Sequence, residues 1–174
     1  MKRLWAVLAS VLLLAGTLVP AQASWLHPSP EDMVRWAGCS ATLTVSDEHS
    51  PFESMYSPEQ HRLYFGTKPI PGLSPDMPLQ ILMHEVSHCL KAQEGLTFLD
   101  YLEDPKKYEL EADERGAGLL CAYHKDGARI NHALLVLVHD KYGYNGDEGH
   151  GTLAERIQAG SRASACHPSN LETP

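Results

Sequence analysis

Residues 84–88 read His-Glu-Val-Ser-His. Two histidines four apart on a helix project from one face, close enough for both imidazoles to reach one ion. Zinc takes neutral imidazole nitrogen, and its catalytic sites use three protein ligands with a water in the fourth position. Glu85 stands beside the first histidine. A carboxylate there can take the proton of the attacking water and pass it to a leaving amine. A third ligand must come from elsewhere in the chain. The segment KYELEADERGAGLL, 107–120, places Glu109 and Asp113 one turn apart on a second helix. The chain between His88 and Glu109 is long enough for one turn and a return, so two antiparallel helices would set Glu109 opposite the histidines. Asp113 would accept the spare N–H of a ligand histidine. The plainer reading is a polar shoulder on a core helix and a solvated acidic face, to which Glu111 and Glu114 add. The two motifs together favour the metal site.

The elements that must position these residues follow from periodicity. Leu79, Leu82, Met83, Val86 and Leu90 recur at helical spacing and predict a helix from about Pro78 to Gln93, with Ile81, His84, Glu85 and His88 on the neighbouring face. Pro105 suits the first turn of the next helix, which runs to about Tyr123. Ser29, Pro30 and Asp32 begin a short helix that ends at Gly38. ATLTVS, 41–46, and HRLYFG, 61–66, read as strands with a polar loop between them. HRLYFG is either a sheet edge beside the cleft, able to bind an extended peptide by strand addition, or a plain core strand, and the sequence does not separate the two. The four prolines of 67–78 exclude regular structure there. ARINHALLVLVHDKYG, 128–143, is apolar all round and is expected to be a buried helix. The glycines of 144–151 predict a loop, and Thr152 with Glu155 caps a last helix, about 153–160. The fold class is therefore α+β: a small N-terminal sheet packed on the two motif helices.

Residues 1–23 have the order of a secretory signal: Lys2 and Arg3, an apolar run over 4–19, then Ala21-Gln22-Ala23. This predicts cleavage after Ala23, a domain over 24–160, a tail over 161–174, and a periplasmic or secreted location. The formal net charge is −8, and loss of Lys2 and Arg3 makes it more negative. Such a chain does not bind nucleic acid through a basic surface. ALLVLV, 133–138, is far too short to span a membrane. Cys39, Cys89, Cys121 and Cys166 predict two disulfides with three possible pairings. His27, His49, His61, His124, His132, His139 and His167 lack ligand spacing with one another. Tyr108, Tyr142 and Tyr144 lie near the motifs, where a hydroxyl can steady an oxyanion.

HEVSH followed by ELEAD resembles the gluzincin metallopeptidases, a zincin-like group with H-E-x-x-H on one helix and E-x-x-x-D on the next. GHGTLAERI sharpens this: His150 stands six residues before Arg156, as in the HtpX and CAAX-prenyl-protease family. The resemblance covers about 84–157. Gly151 follows His150 where that family has proline, and its transmembrane helices are absent. The short gap between motifs is shared with small minimal gluzincins and with the ImmA/IrrE group. The resemblance implies that His84, His88 and Glu109 bind zinc, that Glu85 is the general base and that Asp113 orients a ligand. It places His150 and Arg156 at the cleft, stabilising an oxyanion or contacting zinc or substrate. The expected function is a zinc endopeptidase acting on protein or peptide substrates. The alternative is a zinc-binding, chaperone-like or protein-interaction module without proteolysis.

Overall fold

The computed structural model describes residues 28–123 and 125–163. The expected signal segment, His27, His124, Cys166 and His167 lie outside the described residues. The first helix, α1 (Pro30–Ala37), starts as its sequence predicts. The Ser29 hydroxyl accepts from the Asp32 amide, and Gly38 ends it in the left-handed region. Strand β1 (Thr42–Ser46) follows. The stretch expected to be a polar loop holds a 3₁₀ turn, Pro51–Glu53, and a short strand, β2 (Met55–Ser57). Strand β3 (Arg62–Gly66) buries Leu63 and Phe65 on one face.

The sheet order is β1-β3-β2, with β1 parallel and β2 antiparallel to β3. HRLYFG is thus the central strand and offers no edge. The edges belong to β1 and β2, and β2, which lies beside Glu85, is a strand too short to carry a period-2 signal. Gly66 sits where a Cβ would lie 2.0 Å from the Ser50 carbonyl oxygen, so only glycine lets the chain pass.

The long helices are α2 (Met77–Gln93) and α4 (Pro105–Ala122), joined through α3 (Phe98–Glu103), which Thr97 caps in a box with Asp100. Helix α4 runs back along α2: Glu109 meets His88, and Gly116, two turns on, meets Met83 and His84. Helix α5 (Gly127–Tyr142) and helix α6 (Leu153–Ser161) pack on α4 and on each other. Gly146–Asp147 and Gly151–Thr152 form a small antiparallel hairpin, β4–β5, where a loop was expected. Helix α5 is buried on one face only. Ile130, Asn131, Leu134 and Leu135 are inside, whereas Leu137 and Val138 are half-buried and Tyr142 is exposed.

One core joins α1, the sheet, α2 and α4 through Met33, Leu63, Phe65, Leu82, Val86 and Leu120. Cys39 and Cys89 form a disulfide, which removes two of the three possible pairings. Gln93, one turn after Cys89, accepts from the Ser40 amide at 2.7 Å and donates to the Gly38 carbonyl at 3.1 Å. Bond and disulfide together hold the start of the sheet to α2. Among the described residues, no helix is long and apolar enough to cross a membrane.

Candidate metal centre and catalytic cleft

Burial of Leu79, Leu82, Met83, Val86 and Leu90 fixes the rotation of α2 about its axis. His84, Glu85 and His88 then face α4 and β2. Gly116 lets α4 approach closely, because a Cβ there would stand 3.0 Å from the His84 backbone nitrogen. That approach delivers Glu109. His84 Nε2 lies 3.0 Å from Glu109 Oε2, His88 Nε2 lies 3.3 Å from Glu109 Oε1, and the two Nε2 atoms are 3.2 Å apart. A tetrahedral site with zinc–nitrogen distances near 2.0–2.1 Å has ligand edges of about 3.3 Å. The three groups therefore converge as one ligand set, and they can hold a metal ion.

The electrostatics favour a cation at this point. Burial works against charge on His84, yet hydrogen bonds and Coulomb attraction from Asp113 and Glu109 prevail and raise its pKa to about 10. Burial would raise the Glu109 carboxyl, but His84 and His88 outweigh it and hold it well below the usual carboxylate range. In the protein alone, these carboxylates draw a proton to the place where an ion would bind. Asp113 Oδ1 lies 3.0 Å from His84 Nδ1. Accepting that N–H leaves the Nε2 lone pair directed at the other two ligands. Asp113 is itself held by Arg156, whose Nε and Nη2 donate to its two oxygens at 2.7 and 2.8 Å. The guanidinium of Arg156 thus reaches the centre through Asp113.

No family model, curated protein or solved structure matches this chain.

Glu85 stands at the mouth of the centre, and its Oε2 accepts the Tyr56 amide of β2 at 2.8 Å. The amide pins one carboxylate oxygen of a residue that lines the cleft. Glu85 lies where two hollows meet. One, of about 340 Å3, runs between β2 and α3 and is lined by Met55, Pro58, Leu96 and Phe98 beside His88 and Tyr101. The other, of about 420 Å3, runs between α2, α5 and α6. Both include His84, Glu85 and His150.

His150 sits on the β4–β5 hairpin. Its Nδ1 lies 2.9 Å from both Asp147 oxygens, and its backbone amide donates to Asp147 Oδ1 at 2.8 Å. Slight burial would raise the Asp147 carboxyl, but these bonds hold it below its ordinary value. The other ring nitrogen, Nε2, is 3.8 Å from Glu109 Oε2.

Two side chains at the centre were not singled out from the sequence. Asp147 is one. Tyr101 is the other: its hydroxyl donates to Glu109 Oε1 at 2.7 Å, and its ring meets His88 edge-on at 6.0 Å. Burial and the negative charge of Glu109 raise the Tyr101 phenol. The Thr97-x-x-Asp100 capping box was the signal available, since it starts the helix that carries Tyr101. Of the tyrosines noted from the sequence, Tyr108 stacks on Tyr101, Tyr144 donates to Asp147 Oδ2, and Tyr142 lies exposed against Phe52. Among the scattered histidines, His61 bridges Ser40 and Tyr56, and His139 bonds the Tyr144 carbonyl.

Proposed function

We propose that this protein is a zinc-dependent endopeptidase of an oxidising compartment, periplasmic or secreted, with a gluzincin-like active site. The observation that carries the reading is the convergence of His84, His88 and Glu109 on one point, with the Glu85 carboxylate beside them in a cleft. The donor set of two imidazoles and one carboxylate suits zinc, which in such a site supplies Lewis acidity to a carbonyl and to an attacking water. The Cys39–Cys89 disulfide suits the compartment.

The chain's own groups divide the remaining work. Glu85, with Oε2 fixed by the Tyr56 amide, takes the water's proton on its free oxygen and delivers it to the leaving amine. His150, whose Nδ1–H donates to Asp147, is held with Nε2 toward the centre, where its imidazolium form can donate to the charge developing on the carbonyl oxygen. Tyr101 holds Glu109, Asp113 sets the His84 tautomer, and Arg156 anchors Asp113. The last three are positioning residues. The interaction-module alternative has no use for Glu85, because a structural zinc site closes its fourth position and needs no base.

The test is zinc content and cleavage of an unfolded protein, measured on the mature chain and on Glu85→Gln. The variant should retain zinc and lose cleavage by at least about a hundredfold, the scale of general-base contributions. Equal cleavage in both removes Glu85 as base. A protein that neither carries zinc nor takes it up removes the site altogether. His150→Ala should keep its zinc and lose turnover. Loss of zinc instead would make His150 a fourth ligand and favour the module.

A further inference from the structure

The second hollow beside Glu85 has an unusual floor. Its walls include Ile81, Leu134, Leu135 and Val138, but Gln80 and Asn131 also line it, each 1% exposed. Gln80 Nε2 donates to Asn131 Oδ1 at 3.1 Å, and Asn131 Nδ2 donates to the Arg156 backbone carbonyl at 3.3 Å. The direction of this chain is fixed by its end. A backbone carbonyl only accepts, so Asn131 must turn its NH2 to Arg156 and its oxygen to Gln80. Gln80 must then turn its own NH2 to Asn131. The usual ambiguity between amide oxygen and nitrogen is thereby removed for both residues. What remains is Gln80 Oε1, a buried acceptor with no hydrogen-bond partner among the described residues. Buried acceptors are seldom left so, because desolvation without a bond is unfavourable.

We propose that this hollow is a subsite for a peptide side chain, apolar along its length, whose tip donates an N–H or O–H to Gln80 Oε1. Tyrosine and glutamine have that form. The apolar walls take the stem, and a volume of about 420 Å3 admits a long side chain. An anionic tip is disfavoured, because Gln80 Oε1 only accepts and the Glu85, Asp113 and Asp147 carboxylates line the same space, where Arg156 is already paired with Asp113. The inference rests on the reading of the cleft as one that binds peptides.

The experiment uses pairs of short peptides that differ at one position, tyrosine against phenylalanine and glutamine against methionine, with that position walked along the peptide. Each pair is measured on the mature protein twice, by kcat/KM and by calorimetric Kd. At one position the donor-bearing member should be favoured about tenfold, a modest value for a site built around a hydrogen bond. Gln80→Met should abolish that preference. Equal pairs at every position, a preference that survives Gln80→Met, or no binding of any peptide would overturn the subsite. Should Gln80→Met not fold, the comparison on the unmutated protein decides alone. Preferential binding without cleavage supports the subsite and sinks the endopeptidase reading. Cleavage without preference does the reverse.

Discussion

Asp113 ties a candidate ligand on α2 to the guanidinium of α6. One carboxylate oxygen faces His84 Nδ1, and both take the Arg156 guanidinium. Asp113→Asn keeps the shape but weakens the acceptor for the histidine N–H. Zinc affinity should fall roughly 10–100-fold, as read by chelator competition, with the far-ultraviolet circular dichroism unchanged. The residues of this scale divide by how they could be read. His84 with His88 and Glu109 with Asp113 were legible because helical spacing puts each pair on one face, and Glu85 because it stands beside His84. Tyr101, Asp147 and the Gln80–Asn131 pair were not, because each acts across a gap in sequence that only the folded chain closes. The Tyr56 amide carries no sequence signal at all, since every residue but proline has one.

At the scale of elements, the α2–α4 contact decides whether three ligands meet. Gly116→Val drives a branched side chain against the Met83–His84 backbone. Overpacking of this kind costs about 1–3 kcal/mol. The melting temperature should drop by several degrees, and zinc binding should weaken although no ligand is touched. The α6 cap gives a pH-dependent test. Lys106 and the Thr152 amide and hydroxyl hold Glu155 at a pKa of about 2, below the ordinary 4.5 of a glutamate carboxyl. A depressed carboxyl stabilises the fold above the unfolded pKa, and that contribution is lost as pH falls through the folded one. Glu155→Gln should therefore melt lower than the unmutated protein at pH 7. The difference should shrink below pH 4.5 and vanish near pH 2. The long helices were legible from periodicity and their caps from local chemistry. Strand β2 was not, being three residues long, and whether HRLYFG lies at an edge or in the middle of the sheet was left open, because strand order is set by pairing partners.

For the whole molecule, the α+β class and the packing of a small sheet on the motif helices were readable. The full burial of α5 was not. An apolar run such as ALLVLV gives hydrophobicity but not the number of neighbours, and a domain with few layers covers α5 on one face only. Leu137 and Val138 stay half-buried and Tyr142 exposed for that reason. The division of the site has the same origin. Two of the candidate ligands come from α2 and one from α4, so binding of a metal ion there would require the two helices to dock and would report on their docking.

The disulfide has a mechanical consequence. Cys89 is covalently tied back to Cys39 across 50 residues, while its neighbour His88 reaches forward to Glu109. If the chain is pulled from its ends, the oxidised bridge bears the load and the 39–89 segment, with β1 to β3 and most of α2, is shielded from tension. The extended chain should be shorter by roughly 170 Å than the reduced one, at about 3.3–3.6 Å per residue. A single-molecule force trace in the presence and absence of reductant would read that length directly. In the oxidised protein, force could separate Glu109 from the histidines but would not draw His84 and His88 apart by extending the loop that contains them.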